Sequence, residues 1–148
     1  MTMQELLTEM NRQYNEANAL YHSLAVRLGL SDSAFWVLYA LANTPQTYTQ
    51  NELCSEWGLP KQTLNSTVAS LVHKGILVLD PAPGPGRRKL LRLTEAGRAL
   101  AEKTVVPVFA AEQAALACLG EDAARLYWQL GQDHLRFLRQ EADKLPPP

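Results

Sequence analysis

The segment from Thr49 to Leu93 constrains the fold more than any other part of the chain. It reads TQNELCSEWGLPKQTLNSTVASLVHKGILVLDPAPGPGRRKLLRL, which places two short helical patterns and a hairpin pattern in succession with almost no spacer. Thr49 and Glu52 are spaced as a capping box at the start of the first helix. Gly58 allows a tight turn after that helix. This order predicts a helix-turn-helix followed at once by a two-stranded arm.

The second helix of this segment is predicted from Lys61 to about Lys74, and Pro60 suits its first position because a missing N–H costs nothing there. Four aliphatic residues are expected to form its buried stripe: Leu64, Val68, Leu71 and Val72. The opposite face carries small polar groups, with Asn65 on its border: Gln62, Thr63, Ser66, Ala69, Ser70 and His73. The helix is therefore expected to present a polar outer face.

The arm that follows is strongly basic. Strands are predicted over 76–79 and 90–93, and DPAPGPG, residues 80–86, is expected to form only a loop or turn. Between Gly58 and Leu93 the sequence has six lysines and arginines but only one acid, Asp80. The net charge of the whole chain is −1. A basic segment in an acidic body is typical of a nucleic-acid reader. A chance cluster in a solvated hairpin is the alternative.

The flanking sequence predicts helices. Apolar residues spaced by three and four predict a long helix from Met3 to Leu28, and AFWVLYAL indicates a core helix over 33–43. Thr94 can cap a helix reaching Leu119, within which Pro107 should produce a kink or break. A last helix is expected from Glu121 to about Lys144. The length fits one domain, mainly α with a small β-hairpin.

Four stretches together resemble the MarR family of winged helix-turn-helix transcriptional regulators. They are GLPKQTLN, LVHKGIL, RRK and LTEAGR. The resemblance covers nearly the whole chain and implies one MarR-like domain over 1–148. Its winged helix-turn-helix would occupy about 31–98, between dimerisation helices over about 3–28 and 99–144. It also implies a homodimer that binds double-stranded DNA, a prokaryotic origin, and repression relieved by a small aromatic or phenolic effector.

Nine residues are expected to contact DNA: Lys61, Gln62, Thr63, Asn65, Ser66, Ser70, Arg87, Arg88 and Lys89. Those at the helix start would bind phosphate, helped by the helix N-terminus. Asn65 and Ser66 would read base edges, and Arg88 would enter the minor groove. The alternatives are a solvated surface for Gln62 and Thr63, a bond to its own backbone for Asn65, and a solvated turn charge for Arg88. Lys89 and Arg92 are expected to contact backbone or to pair with acids.

The chain departs from the family pattern at three of its positions. Gly86 stands where the family wing has an Asp that holds the wing Arg, so Arg88 is expected to be less ordered without DNA. Ser66 and Ser70 stand where the family often has Arg. Without those arginines, direct readout of guanine should be weaker.

An effector pocket is expected from Tyr14, His22, Trp36 and Tyr39, although each is equally explained as core. Trp128, Tyr127 and Phe137 are expected to pack a dimer interface. The histidines and the two cysteines lack metal-ligand spacing, so neither metal nor cofactor is predicted. No signal-peptide pattern and no apolar run of about 18 residues is present, which favours a cytoplasmic location and no membrane partner.

Two other functional classes compete with a DNA-binding regulator. The low Arg content of the second helix allows a winged module that contacts proteins and binds DNA weakly or not at all. An enzyme is not predicted, because the sequence shows no nucleophile–base–orienter set and no phosphate-binding loop.

Overall fold

The computed structural model describes residues 1–146. These residues form helices α1 Met3–Arg27, α2 Asp32–Asn43, α3 Gln50–Trp57, α4 Lys61–His73, α5 Glu95–Lys103, α6 Val105–Ala117 and α7 Glu121–Ala142. Three short strands accompany them: β1 Tyr48–Thr49, β2 Leu77–Pro81 and β3 Lys89–Leu93. The predicted class, mainly α with a small sheet, is confirmed. The chain divides into two compact units, Met1–Pro107 and the part that begins at Val108.

The sheet in the first unit is antiparallel, with strand order β1-β3-β2. Strand β2 extends to Pro81, which pairs with Lys89, so the expectation that residues 80–86 form only a loop was wrong for Asp80 and Pro81. Pro81 is tolerated because β2 is an edge strand, whose outward N–H groups need no ladder partner. Strand β1, which the sequence did not predict, pairs Tyr48 with Leu91.

The core of the first unit is built around α2. Phe35, Val37, Leu38 and Ala40 have essentially no exposed surface. The other elements of this unit contribute one or more buried residues each: Ala25, Tyr48, Leu53, Leu64, Val68, Leu71, Leu77, Leu91, Leu93, Ala101 and Val105. Apolar burial of this kind stabilises by about 25 cal/mol per Å² removed from water, and it holds the outer face of α4 in place.

Two details of α4 differ from expectation. Val72 is 37% exposed, so the buried stripe consists of the other three predicted residues. It lies about 100° around the helix from Leu71, at the margin of the stripe. Pro60 is the N-cap residue, so the helical residues begin at Lys61. Gly75 ends the helix with φ +71°, and the N–H of Ile76 donates to the Leu71 carbonyl at 2.9 Å.

The helix expected from Thr94 to Leu119 is divided into α5 and α6, and the division lies at Thr104. In a continuous helix the ring of Pro107 would clash with the carbonyl of Lys103, four residues earlier. Lys103 is the last residue of α5, so the break removes that clash. Pro107 then becomes the third residue of α6, where a missing N–H breaks no intrahelical bond.

In the second unit, α7 is amphipathic and has no buried residue. The apolar residues of its stripe are all exposed: Leu126, Tyr127, Leu130, Phe137 and Leu138. None of the described helices is by itself long and apolar enough to cross a membrane. One pair, α1 and α2, reaches the required length and apolar composition only when the two helices are taken together, and the chain bends by 91° between them.

Candidate nucleic-acid interface

The start of α3 is fixed by the capping box that the sequence predicted. The Thr49 backbone N–H donates to Glu52 Oε2 at 2.6 Å, and the Glu52 N–H donates to Thr49 Oγ1 at 3.3 Å. Hydrogen bonds from the backbone and then the side chain of Thr49 lower the pKa of Glu52, and the charge of Arg88 contributes least. Gly58 adopts φ +63° and turns the chain from α3 toward α4.

The predicted base- and phosphate-contacting residues of α4 are all exposed on its outer face: Lys61, Gln62, Thr63, Asn65, Ser66 and Ser70. Buried Leu64, Val68 and Leu71 face the core on the other side. The hydroxyls of Thr67 and Ser33 lie 2.6 Å apart and join α4 to α2. The structure thus brings these six residues together on an exposed surface that could contact a groove of double-stranded DNA.

Two side chains on this face already have partners. Gln50 Nε2 donates to Asn65 Oδ1 at 3.0 Å, across the turn between α3 and α4. Ser66 Oγ donates to the Thr63 carbonyl at 2.9 Å, within its own helix. Because its proton is used, the Ser66 hydroxyl can accept a hydrogen bond from a base more readily than donate one. Gln50 was not among the predicted residues, since no local pattern marks it.

The β2–β3 hairpin and its loop, here called the wing, carry the other predicted residues: Arg87, Arg88 and Lys89, all exposed. None of these three forms an ion pair within the described residues. Gly84 and Gly86 in the loop have φ values of +97° and +102°. Arg88 Nη2 lies 3.5 Å from the Pro83 carbonyl oxygen, so its guanidinium reaches back across the loop.

Arg92 differs from the cations of the wing tip. Its Nε donates to Asp80 Oδ2 at 2.5 Å. The hydrogen bond lowers the pKa of Asp80 and raises the pKa of Arg92. Within the wing, the positive charge that remains unpaired is therefore at the tip.

The LTEAGR stretch fastens the start of α5 to the start of β2. Thr94 donates its backbone N–H to the Ile76 carbonyl at 3.0 Å and its hydroxyl to the Gly75 carbonyl at 2.6 Å. A Cβ on Gly97 would lie 2.1 Å from the Ile76 oxygen, so only glycine permits this approach. The Arg98 guanidinium donates to the Leu93 carbonyl at 3.1 Å. These residues position the wing, a role that the sequence pattern alone did not explain.

The four residues expected to line an effector pocket are only partly grouped. Trp36 and Tyr39 lie in an aromatic cluster, with their ring centroids 5.3 Å apart. Tyr14 is 67% exposed, and His22 Nδ1 lies 2.9 Å from Asp32 Oδ1. A cleft of about 470 Å³ between α2 and α4 and one of about 290 Å³ beside β3 are lined by other residues. Among the described residues, no cluster of three His, Cys, Asp or Glu could hold a metal ion.

A helix-turn-helix with an exposed polar second helix, followed by an antiparallel wing with a basic tip, defines the winged helix-turn-helix class of protein.

The sequence model of the MarR family matches residues 28–88, from the end of α1 to the wing. NMB1585, a MarR family regulator from Neisseria meningitidis, is 24% identical with a TM-score of 0.71, over 93% of this chain and 95% of that one. The MarR family transcriptional regulator SPO1453 from Silicibacter pomeroyi is 26% identical with a TM-score of 0.69, over 90% and 94%. Staphylococcus aureus MarR in complex with salicylate and kanamycin is 20% identical with a TM-score of 0.68, over 93% of each chain.

A search of curated proteins gives no match. The resemblance to the MarR family seen in the sequence is confirmed by the family match and by the fold. Members of this family are transcriptional regulators rather than enzymes.

Proposed function

We propose that this protein is a homodimeric, sequence-specific DNA-binding regulator that represses transcription in the cytoplasm until a small molecule binds. The observation that carries the proposal is the exposed polar face of α4, together with the unpaired cations at the tip of the wing. A helix of this width fits the major groove, and an arginine fits the narrow minor groove of A·T-rich DNA.

In this proposal α4 is the recognition helix and its residues have different tasks. Lys61, Gln62 and Thr63 would bind phosphate at the helix N-terminus, where the backbone N–H groups also point. Asn65 and Ser66 would read base edges, and Ser70 would contact the groove one turn further on. Arg87 and Lys89 would bind phosphate beside Arg88, which would enter the minor groove.

Dimerisation is supported by the apolar surface of the helices outside the winged module. Helix α1 exposes Leu7, Met10 and Tyr14, and α7 exposes the stripe defined above. We propose that residues 3–28 and 99–144 form the dimer region and that residues 31–98 form the DNA-binding module. Two such modules would face half-sites about one helical turn apart, which is about 34–36 Å.

An effector of aromatic or phenolic chemistry is supported by two relatives of the same fold. Staphylococcus aureus MarR holds salicylate, and NadR holds 4-hydroxyphenylacetate. In this chain the half-buried Trp36 and the buried Tyr39 offer aromatic faces, and we propose Tyr14 and His22 as polar groups at the margin. Binding there would act by favouring one arrangement of the two recognition helices over another.

The experiment selects bound DNA from a random pool and then measures the dissociation constant across salt concentrations. Several phosphate contacts predict an affinity loss on the order of a thousandfold between about 50 and about 200 mM salt. Lys61→Ala should weaken all sequences about equally, whereas Asn65→Ala should relax base preference. A flat salt response, or equal effects of the two variants, would contradict the proposal.

A protein-binding module is the second candidate. It is favoured by the absence of arginine from α4, whose outer face offers mainly hydroxyl and amide groups. This candidate predicts that no DNA sequence is enriched from the random pool. It also predicts that a partner protein binds to the outer face of α4.

A further inference from the structure

The hydrogen bond between Gln50 and Asn65 links the first residue of α3 to the outer face of α4, across 15 positions of sequence. The other polar side chains of α4 with partners in the described residues bond elsewhere: Ser66 to its own helix, and Thr67 to the half-buried Ser33 of α2. Asn65 is therefore the proposed base reader whose side chain is held by a second element of the module.

The bond leaves the Asn65 amide able to read adenine. Oδ1 accepts from Gln50 Nε2 with one lone pair and keeps the other, while Nδ2 retains both of its N–H groups. Adenine presents the N6 amino group and the N7 acceptor in the major groove, and Asn pairs with both. An amide held in this orientation offers its acceptor and its donor without first losing rotational freedom.

Gln50 is itself held at its backbone. It follows Thr49, which pairs with Leu90 of β3 and forms the capping box with Glu52. The first turn of α3 is thus fixed by both the sheet and the cap, and the Gln50 side chain extends toward α4 from a fixed point.

We infer that Gln50 is a positioning residue that orients the Asn65 amide for adenine, an inference that rests on the proposed DNA-binding function. Gln50 needs no contact with the base for this role. It raises preference for one base at one position of the half-site.

The DNA test compares Gln50→Ala, Asn65→Ala and the double variant on the selected site with each base at the affected position. Gln50→Ala should reduce the adenine preference about fivefold, as expected for the loss of one neutral hydrogen bond. The double variant should be no less selective than Asn65→Ala alone, because both changes remove one interaction. Gln62→Ala is the matched control, since it truncates an exposed glutamine on α4 and should change affinity for all bases equally.

The Gln50→Glu variant tests whether residue 50 must orient the Asn65 amide or need only contact it. A carboxylate cannot donate to Asn65 Oδ1, but it can accept from Nδ2 and so turn the amide over. An acid in the first turn of α3 is compatible with the helix dipole, so this variant should fold. The contact would remain while the adenine preference is lost.

A measurement without DNA tests the same inference by NMR of the Asn65 side-chain amide. The amide should be ordered in the wild-type protein and mobile in Gln50→Ala. An equally mobile amide in both, or a selected site whose adenine preference survives Gln50→Ala, would overturn this inference alone. A wild-type protein that selects no sequence would overturn the proposed function and this inference with it.

Discussion

Basic side chains on the winged module differ in whether their charge is already paired. Arg92 is bonded to Asp80, whereas Arg88 reaches only a main-chain carbonyl. An exposed ion pair contributes little to stability, but it neutralises the cation that forms it. Affinity for DNA comes from cations that displace counterions from phosphate, so the unpaired ones should matter most.

Arg88→Ala should therefore weaken DNA binding and reduce the slope of log K against log salt by about 1 per protomer. The control variant combines Asp80→Ala with Arg92→Ala, which removes the ion pair and leaves the net charge unchanged. It should bind DNA nearly as the wild type does. Fluorescence anisotropy across salt concentrations measures both, and sedimentation checks that the oligomeric state of Arg88→Ala is unchanged. An unaltered salt slope in Arg88→Ala would show that the account of the wing is wrong.

At the scale of elements, the module depends on a few junctions where one element begins against another. Helix α5 begins against the first residues of β2 through Thr94 and Gly97. Helix α3 begins at a cap in which the Glu52 carboxylate accepts a hydrogen bond from the backbone N–H of Thr49. Each junction fixes the direction of an element that presents part of the proposed DNA surface.

Gly97→Ala should destabilise the fold by about 2 kcal/mol, because its Cβ would overlap the Ile76 carbonyl, a backbone atom that cannot move aside cheaply. Ala99→Gly at an exposed position of the same helix is the control for backbone effects. It should destabilise by only about 0.5–1 kcal/mol through helix propensity. Urea unfolding of both variants makes the comparison, and a neutral Gly97→Ala would contradict the close approach.

The Thr49–Glu52 cap of α3 makes the free energy of unfolding depend on pH. The pKa of Glu52 is lower in the folded than in the unfolded chain, so the carboxylate's stabilising effect is complete above the unfolded pKa. It is lost as pH falls through the folded value. Glu52→Gln should reduce the free energy of unfolding at neutral pH, with a difference from wild type that shrinks in acid. Glu56→Gln is the matched control, because it removes a carboxylate from the same helix and leaves the Thr49–Glu52 cap intact. Thermal unfolding across pH compares the two variants with wild type. Parallel profiles for wild type and Glu52→Gln would refute this account.

For the whole molecule, the exposed apolar stripe of α7 is the feature that a monomer does not explain. Contiguous apolar surface bounded by polar residues marks interaction sites. The stripe holds two aromatic and three leucine side chains, spaced as one face of a helix. A second copy of the chain is the partner that the proposed function requires.

Leu130→Glu should therefore shift the protein from dimer to monomer and weaken DNA binding, because two linked modules bind far more tightly than one. Gln129→Glu is the matched control, since it adds the same charge at the neighbouring position outside the stripe. Sedimentation equilibrium separates the two expectations. A Leu130→Glu protein that remains dimeric would place the interface elsewhere.

The sequence predicted those features that depend on neighbouring residues. Thr49 with Glu52, Gly58 and Thr94 are local signals, and each was found where expected. Features that depend on distant residues were missed: β1 is two residues long and exists only through its pairing with β3. Pro107 was expected to kink or break the helix after Thr94, and the break lies at Thr104 because the constraint of its ring acts four residues earlier. The Gln50–Asn65 bond joins two helices, so no local spacing indicates it.

The loop of the wing has a consequence for the entropy of association. Gly84 and Gly86 hold φ values that other residues rarely adopt, and Pro83 and Pro85, which alternate with them, have φ fixed by their rings. Two of four residues thus have few conformations to lose when the loop is immobilised. The two glycines lose the most conformational freedom when a groove receives this loop, and the fixed φ of the two prolines offsets part of that cost.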